Sequence, residues 1–317
     1  MCATCGCSDA HGVTIIDPAV GEHAAMTQAE REHAQVHRMG RPHTHDRHAR
    51  NPEVLRGDTM LYRALPQHTD AMRHVPDHDR EPGAPALAAR MQQTTVKMEQ
   101  EILAKNQQLA QRNRVWFEQR GILALNLVSS PGSGKTTLLE RTIRDLHGHW
   151  VIQVIEGDQA TVNDAERIRA TGCKVIQINT GAGCHLEADM LARGLVALNP
   201  ERNSVVMIEN VGNLVCPALF DLGERAKVVI LSVTEGEDKP IKYPHMFKAS
   251  QVMLLNKVDL LPHLNFDVAK CVSYAKQVNP AIRIFQISAQ TGAGMVGWYG
   301  WLRAQVPATD RTSVSGE

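Results

Sequence analysis

The chain has 317 residues, with 34 Lys plus Arg against 34 Asp plus Glu, so its formal net charge is zero. This balance argues against a general electrostatic attraction to nucleic acid or to an anionic membrane, and an aromatic content of 4% argues against stacking on single strands. No apolar run reaches the roughly 18 residues that a membrane span needs. Seven cysteines in a chain of this length predict reduced thiols and a cytoplasmic protein.

A cysteine motif, Met-Cys-Ala-Thr-Cys-Gly-Cys, occupies residues 1–7. The CxxC spacing brings the thiols of Cys2 and Cys5 to one ion, and Gly6 lets the chain fold back so that Cys7 can join them. A thioredoxin-like redox pair would need a preceding strand and a following helix, and the pattern predicts neither. Three thiolates on a flexible end, with a backbone nitrogen or the terminal amine as a fourth ligand, suit tight square-planar Ni²⁺.

A histidine-rich segment follows at residues 8–85. Ten of the 15 histidines lie in the first 78 residues, and Tyr62 is the one aromatic residue among the first 85. Such a segment buries too little apolar surface to offset its ordering entropy, so we predict that it is largely disordered. Its imidazoles are expected to hold further ions weakly, as a nickel reservoir, with a solvated spacer or accidental composition as the alternative. A Glu-Pro-Gly-Ala-Pro stretch at 81–85 marks its end.

Residues 86–317 predict one α/β domain. Residues 86–120 have apolar side chains at near-helical spacing, which indicates a long amphipathic helix that ends at Gly121. From residue 122, apolar Val- and Ile-rich runs alternate with helical stretches, which is typical of a doubly wound, mostly parallel sheet with ligands at the carboxyl ends of its strands. The candidate strands are Ile122–Ser129, Val151–Glu156, Lys174–Asn179, Ser204–Glu209, Lys227–Val233, Gln251–Leu255 and Arg283–Ile287.

The run SSPGSGKTT at residues 129–137 follows a strand and opens a helix, as a phosphate-binding loop does. Lys135 is expected to reach the β and γ phosphates, and the Thr136 hydroxyl is expected to bind Mg²⁺. Ser129 replaces the usual first glycine, and the alternative is a Gly-Ser turn with an incidental lysine. The predicted phosphate-binding residues are Gly132, Ser133, Gly134, Lys135, Thr136 and Thr137.

A second motif, Asn256-Lys257-Val258-Asp259, comes directly after the candidate strand that ends at Leu255. The Asp259 carboxylate can accept from guanine N1–H and from the exocyclic amine, whereas adenine would leave it unpaired. This position predicts that the bound nucleotide is GTP. Ser288 and Ala289, after the last strand, are a candidate backbone clamp on the base, with a plain strand-to-helix turn as the alternative.

Two acidic residues, Asp158 and Glu209, lie at strand ends on the same predicted edge. We expect them to act as direct or indirect partners of Mg²⁺ in a catalytic role, with helix capping as the alternative. In the acid-x-x-Gly pattern at 209–212, the N–H of Gly212 is a candidate sensor of the γ-phosphate.

Three further metal ligands are predicted in the domain. Cys184 and His185 follow the third candidate strand and Cys216 follows the fourth, so their loops lie on the nucleotide edge. Two thiolates and an imidazole suit Zn²⁺ or Ni²⁺, and an exchangeable ligand or a second subunit would complete the coordination. The alternative is two ordinary buried cysteines and a surface histidine. Cys173 and Cys271 have no ligand neighbours in sequence and are interpreted as ordinary buried thiols.

These elements together resemble the HypB family of hydrogenase nickel-incorporation GTPases, over residues 1–7 and about 90–310. The resemblance rests on MCATCGC, SSPGSGKTT, EGDQAT, TGAGCHLEADM, ENVGNLVCP and NKVD. It implies a G domain of the P-loop NTPase class that dimerises with GTP, slow GTP hydrolysis, a companion nickel chaperone, and nickel delivery to the [NiFe]-hydrogenase large-subunit precursor. It also implies a tight nickel site at Cys2, Cys5 and Cys7, and a second nickel or zinc site at Cys184, His185 and Cys216.

Three alternatives compete with this interpretation. A urease-type nickel GTPase would share the G domain, but not the MCATCGC start. A nickel storage protein with a vestigial nucleotide site would explain the histidines, whereas the intact motifs at 134–136 and 256–259 argue against a dead site. A small-molecule kinase would leave the thiols unexplained.

Overall fold

The computed structural model describes residues 14–17, 84–158 and 163–306. Cys2, Cys5, Cys7 and the ten histidines before residue 79 lie outside the described residues, as does most of the predicted segment 8–85. Apart from residues 84–93, the described residues belong to one unit of the chain, made of Met1–Ala25 and Thr94–Glu317. Among them, no helix has both the length and the apolar character that crossing a membrane requires.

Eight strands of the described residues form one sheet, in the order β1-β4-β3-β5-β2-β6-β7-β8. Strands β2 to β8 run parallel to their neighbours, and β1 runs antiparallel to β4. The predicted mostly parallel sheet is therefore confirmed. The strands are β1 (Thr14–Ile16), β2 (Leu123–Ser129), β3 (Ile152–Asp158), β4 (Lys174–Asn179), β5 (Val205–Glu209), β6 (Ala226–Ser232), β7 (Val252–Asn256) and β8 (Arg283–Gln286).

Helices cover both faces of this sheet. On one face, α2, α3 and α9 pack on the side chains of Leu123, Leu125 and Leu127 of β2, whereas α1 and α4 pack around Ala124 on the other. The doubly wound arrangement is thereby confirmed. The helices are α1 (Ala84–Arg120), α2 (Lys135–Asp145), α3 (Asn163–Arg169), α4 (Ala188–Leu198), α5 (Cys216–Leu219), α6 (Lys239–Lys242), α7 (Pro244–Ala249), α8 (Val268–Val278) and α9 (Met295–Gln305), with a 3-10 helix at Val258–His263.

Strand β1 corrects the sequence prediction, which placed residues 14–16 in a disordered segment. Thr14 lies opposite Asn179, and Ile16 lies opposite Gln177, at the edge of β4. Ile15 packs against the core between the sheet and α1. Three β-branched residues are too few to show a period, but they suit an edge whose backbone groups need partners.

Helix α1 confirms the predicted long helix, with its start at Ala84 instead of residue 86. Its C-terminal half is anchored by Ala110 and Phe117, which are 0% and 3% exposed. Gly121 adopts a φ of +65° and its N–H bonds to Glu118 O, so the helix ends where the sequence predicts.

Candidate nucleotide and metal site

The phosphate-binding loop connects β2 to α2 at the carboxyl edge of the sheet. Gly132 and Gly134 have φ angles of +73° and +96°, in the left-handed region that favours glycine. Lys135 Nζ donates to Ser129 Oγ at 2.8 Å, so the serine that replaces the usual glycine holds the lysine in place. The Ser133 hydroxyl is buried without a hydrogen-bond partner among the described residues. The loop therefore has the shape and free polar groups of an anion cradle at a helix N-terminus.

The structure brings the predicted Mg²⁺ residues together. Thr136 Oγ1 donates to Glu209 Oε1 at 2.8 Å, and Glu209 is 3% exposed. Burial raises the pKa of Glu209 to about 7, while Lys135 and the Thr136 hydrogen bond act to lower it. Asp158 ends β3, the strand next to β5. A hydroxyl and two carboxylates at one edge are the oxygen ligands that Mg²⁺ prefers.

Glu156 is a buried acid that the sequence analysis did not select. It lies directly opposite Glu209 in the pairing of β3 with β5, and its Oε2 is buried without a hydrogen-bond partner among the described residues. Burial, followed by the negative charges of Glu209 and Asp158, raises its pKa to about 9. Glu156 therefore carries a proton at neutral pH. The sequence shows Glu156 two residues before Asp158, but it does not show that Glu209 lies opposite Glu156 on the neighbouring strand.

Arg167 is a second residue that the sequence analysis missed. From α3, its guanidinium donates to Glu140 Oε2 at 3.0 Å and to Thr137 Oγ1 at 3.2 Å. It is also within electrostatic range of Glu209, whose pKa it lowers. Arg167 thus brings a positive charge to the first turn after the phosphate loop. No sequence motif or spacing indicates that Arg167 lies at this site.

The loop after β5 approaches the phosphate loop closely. A Cβ built on Gly212 would lie 3.1 Å from three atoms of Pro131, so a side chain here would press on the loop backbone. This close approach puts the predicted γ-phosphate sensor next to the phosphate loop.

Asn256 joins the guanine motif to the phosphate loop. Its Nδ2 donates to Ser133 O at 2.9 Å, and its Oδ1 accepts from Ala289 N at 3.0 Å. Lys257 Nζ donates to Gly132 O at 2.8 Å. The first two residues of the motif thus hold the surrounding loops, and Asp259 remains the residue predicted to recognise the base.

Asp259 lies in the 3-10 helix after β7. Its Oδ1 is buried and has no hydrogen-bond partner among the described residues, which is consistent with the predicted role as an acceptor for a ligand. Ser288 forms a turn in which its hydroxyl accepts from Thr291 N at 3.0 Å. The neighbouring Ala289 N donates to Asn256. The residues of the candidate base clamp therefore form a strand-to-helix turn.

Cys184, His185 and Cys216 form a cluster whose ligand atoms lie within 4.8 Å of one another. Cys184 Sγ is 3.0 Å from Cys216 Sγ and 3.5 Å from His185 Nδ1. His185 is 1% exposed, so the alternative of a surface histidine is wrong. Burial and the positive Lys227 lower its pKa to about 4, which leaves the imidazole neutral and able to bind a metal. Two thiols and a neutral imidazole fit Zn²⁺ or Ni²⁺.

The other two described cysteines differ from this cluster. Burial raises the pKa of Cys173 and of Cys271 to about 12, so both remain thiols at neutral pH. Cys173 Sγ donates to Ile152 O at 3.1 Å, and Cys271 is 0% exposed within α8. Neither has the properties of a reactive or ligating thiolate.

Known proteins resemble the chain in both sequence and fold. Residues 123–286 match the family model described as "CobW/HypB/UreG, nucleotide-binding domain". The hydrogenase maturation factor HypB of Escherichia coli K12 is 49% identical over 305 residues, which cover 96% of this chain and 99% of that protein. The crystal structure of HypB from Archaeoglobus fulgidus matches with a TM-score of 0.60 and 40% identity, over 63% of this chain and 98% of that one. HypB from Helicobacter pylori, solved in complex with nickel, matches with a TM-score of 0.61 and 37% identity, over 63% and 94%.

Proposed function

The chain belongs to the HypB family of hydrogenase maturation factors, and from this premise we propose that it is a GTP-hydrolysing nickel metallochaperone. It binds nickel and delivers it to the precursor of a [NiFe]-hydrogenase large subunit, with a companion nickel chaperone as partner. One observation carries the proposal: the loop at residues 129–137, the Asp259 carboxylate, whose Oδ1 has no hydrogen-bond partner among the described residues, and the Cys-His-Cys cluster all follow strands at the carboxyl edge of one sheet. A storage protein would not need the first two.

In this proposal, different residues bind the phosphates, Mg²⁺ and the base. Lys135 leaves the Ser129 hydroxyl to bind the β and γ phosphates, and Thr136 and Asp158 hold Mg²⁺, which neutralises phosphate charge when bound. Glu209 accepts from the Thr136 hydroxyl and keeps it oriented. Asp259 reads the base. Since Glu156 keeps its proton, the edge carries one negative charge fewer where the phosphates arrive.

Nickel is the cargo in this proposal. Cys184, His185 and Cys216 supply three ligands, and a homodimer formed with GTP brings a second cluster to complete the coordination. Zn²⁺ suits the same donors. The thiols of Cys2, Cys5 and Cys7 form a separate tight site, and the histidines of residues 8–85 add weak binding. GTP hydrolysis then changes how firmly the domain holds the ion.

The test is nickel-dependent nucleotide turnover by the purified full chain. Phosphate release from GTP and from ATP is measured as Ni²⁺ is added, with Cys184→Ser as the site variant and Cys173→Ala as the matched thiol control. We expect slow turnover of GTP over ATP, with a nickel response that is lost in Cys184→Ser and kept in the control. Nickel binding without any turnover would identify a storage protein instead.

A further inference from the structure

Four buried polar side chains cross the sheet next to the cysteine cluster. They are Asn210 after β5, Asn126 in β2, Glu224 before β6 and Lys227 in β6, and each is at most 8% exposed. Burying such groups costs free energy unless each finds a hydrogen-bond partner. Four together in the middle of an α/β sheet therefore require a structural reason.

These side chains form one continuous chain of contacts. Asn210 Nδ2 donates to Asn126 Oδ1 at 3.2 Å, and Asn126 Nδ2 donates to Glu224 Oε1 at 3.1 Å. Lys227 Nζ lies 3.6 Å from the same carboxylate oxygen. This series of contacts thus follows the sheet order β5-β2-β6, and each of the four side chains has a hydrogen-bond or ion-pair partner.

The first and last side chains of this series each hold a loop that carries residues of the cysteine cluster. At one end, Asn210 Oδ1 accepts from Leu186 N at 3.1 Å, and Leu186 directly follows His185. At the other end, Lys227 Nζ donates to Pro217 O at 2.6 Å and to Phe220 O at 3.2 Å, in the segment that begins with Cys216. The two loops are consequently fixed relative to each other through the sheet.

Asn210 is also part of the loop that lies against the predicted phosphate-binding loop. Glu209, the residue before it, accepts from Thr136, and Gly212 lies against Pro131. A phosphate that shifts residues 209–212 would also move the amide that holds Leu186 N. Two other bonds reach the Cys184 loop, from Thr180 N to Asp158 O at 2.8 Å and from Asn213 Nδ2 to Cys184 O at 3.3 Å, but neither joins that loop to residues 209–212.

We infer that Asn210 is the positioning residue through which the nucleotide at the phosphate loop alters the geometry of the Cys184-His185-Cys216 cluster. The inference rests on the proposed function and names the part of the chain that couples its two sites. Coupling of this kind needs one segment whose arrangement both ligands bias, and residues 209–212 meet that condition.

The experiment uses the full chain with Cys2, Cys5 and Cys7 changed to serine. Ni²⁺ is added in the presence of GDP or of a non-hydrolysable GTP analogue, and thiolate-to-nickel charge-transfer absorption is recorded. Since the pKa values of Cys173 and Cys271 are near 12, the signal reports Cys184 and Cys216. We expect nickel affinity to differ between the two nucleotides by at least about fivefold. In Asn210→Ala that ratio should fall to within about twofold of one, with nucleotide binding retained.

Asn113→Ala is the matched control. Asn113 Nδ2, from α1, donates to Ala188 O at 2.8 Å and to Leu222 O at 3.0 Å, so it holds the start of α4, just after the first loop, and the segment after α5. Neither bond involves residues 209–212. This variant should bind nickel more weakly with either nucleotide and keep the ratio. If Asn210→Ala fails to fold, Asn210→Ser gives the same measurement with a smaller loss of polar contacts.

The outcomes separate the two proposals. An unchanged affinity ratio in Asn210→Ala overturns the inference, and so does loss of the charge-transfer band with both nucleotides, since that result indicates a purely structural role. If the background protein itself shows no band, or no response to nucleotide, the proposed function fails instead.

Discussion

Replacing Glu156 with glutamine should stabilise the folded chain at alkaline pH. The pKa of this buried carboxyl is about 9, against about 4.5 for an ordinary glutamate, because burial and the neighbouring acids disfavour its charge. Between these values the folded state holds a proton that the unfolded state has released. Unfolding therefore releases a proton, and stability falls as the pH rises from about 4.5 towards 9.

The size of the effect follows from this linkage. One proton released on unfolding lowers the free energy of unfolding by about 1.4 kcal/mol per pH unit, or about 2 kcal/mol between pH 7.0 and 8.5. Glu209, with a pKa of about 7, is mostly ionised in the upper part of that range and contributes little there. In Glu156→Gln the slope should be largely absent.

Urea unfolding, followed by tryptophan fluorescence at several pH values without nucleotide or Mg²⁺, measures this slope. Glu166→Gln is the control, because Glu166 is exposed on α3. It should keep the wild-type slope. Equal slopes in the wild type and in Glu156→Gln would show that Glu156 is already ionised in the folded protein, and would refute the reasoning.

Three further predictions concern ligands. Asp259→Asn should lose GTP affinity by about a hundredfold, since two charge-assisted hydrogen bonds are worth about 3 kcal/mol, and should gain affinity for xanthosine triphosphate; Asp267→Asn, which alters a helix cap, should do neither in the same competition assay. Lys135→Ala should abolish phosphate release and leave the melting temperature nearly unchanged, because Lys135 Nζ contacts a loop hydroxyl and not the core. Removal of residues 1–7 should eliminate the tightest nickel binding and its charge-transfer band but preserve GTP hydrolysis. In the intact chain, nickel affinity at that tight site should fall as the pH drops below the thiol range. Nickel affinity of the histidine-rich segment should fall nearer pH 6. A single pH profile that survives the truncation would make the histidines the main nickel ligands.

Much of the fold could be predicted because strands β2 to β7 are buried on both faces along most of their length. Their Val- and Ile-rich runs mark them regardless of which strand pairs with which, and the order of motifs then assigns each loop to the carboxyl edge. Cys184 and Cys216 could be brought together on that argument alone. β1 could not be found in this way, since Thr14–Ile16 is too short to carry a period and its partner, β4, lies more than 150 residues away.

The electrostatic and polar features depend on neighbours across the sheet. Glu156 keeps a proton because β3 pairs with β5 and places it opposite Glu209, a register that no local pattern reveals. Asn126 looks like a polar interruption of an apolar strand until Asn210 and Glu224 are seen beside it. Such residues are recognised only once the strand order is known.

The short strand β1 also limits how far the N-terminal cysteines can lie from the sheet. Seven residue steps separate Cys7 from Thr14, so an extended chain carries Cys7 at most about 25 Å away. Thr14 lies opposite Asn179, which directly precedes the loop that leads to Cys184. If Cys2, Cys5 and Cys7 bind an ion as proposed, this length of chain limits its distance from the second cluster and gives a local concentration of order millimolar, whatever the concentration of the protein. Exchange of nickel between the two sites of one molecule would then follow first-order kinetics, unaffected by dilution.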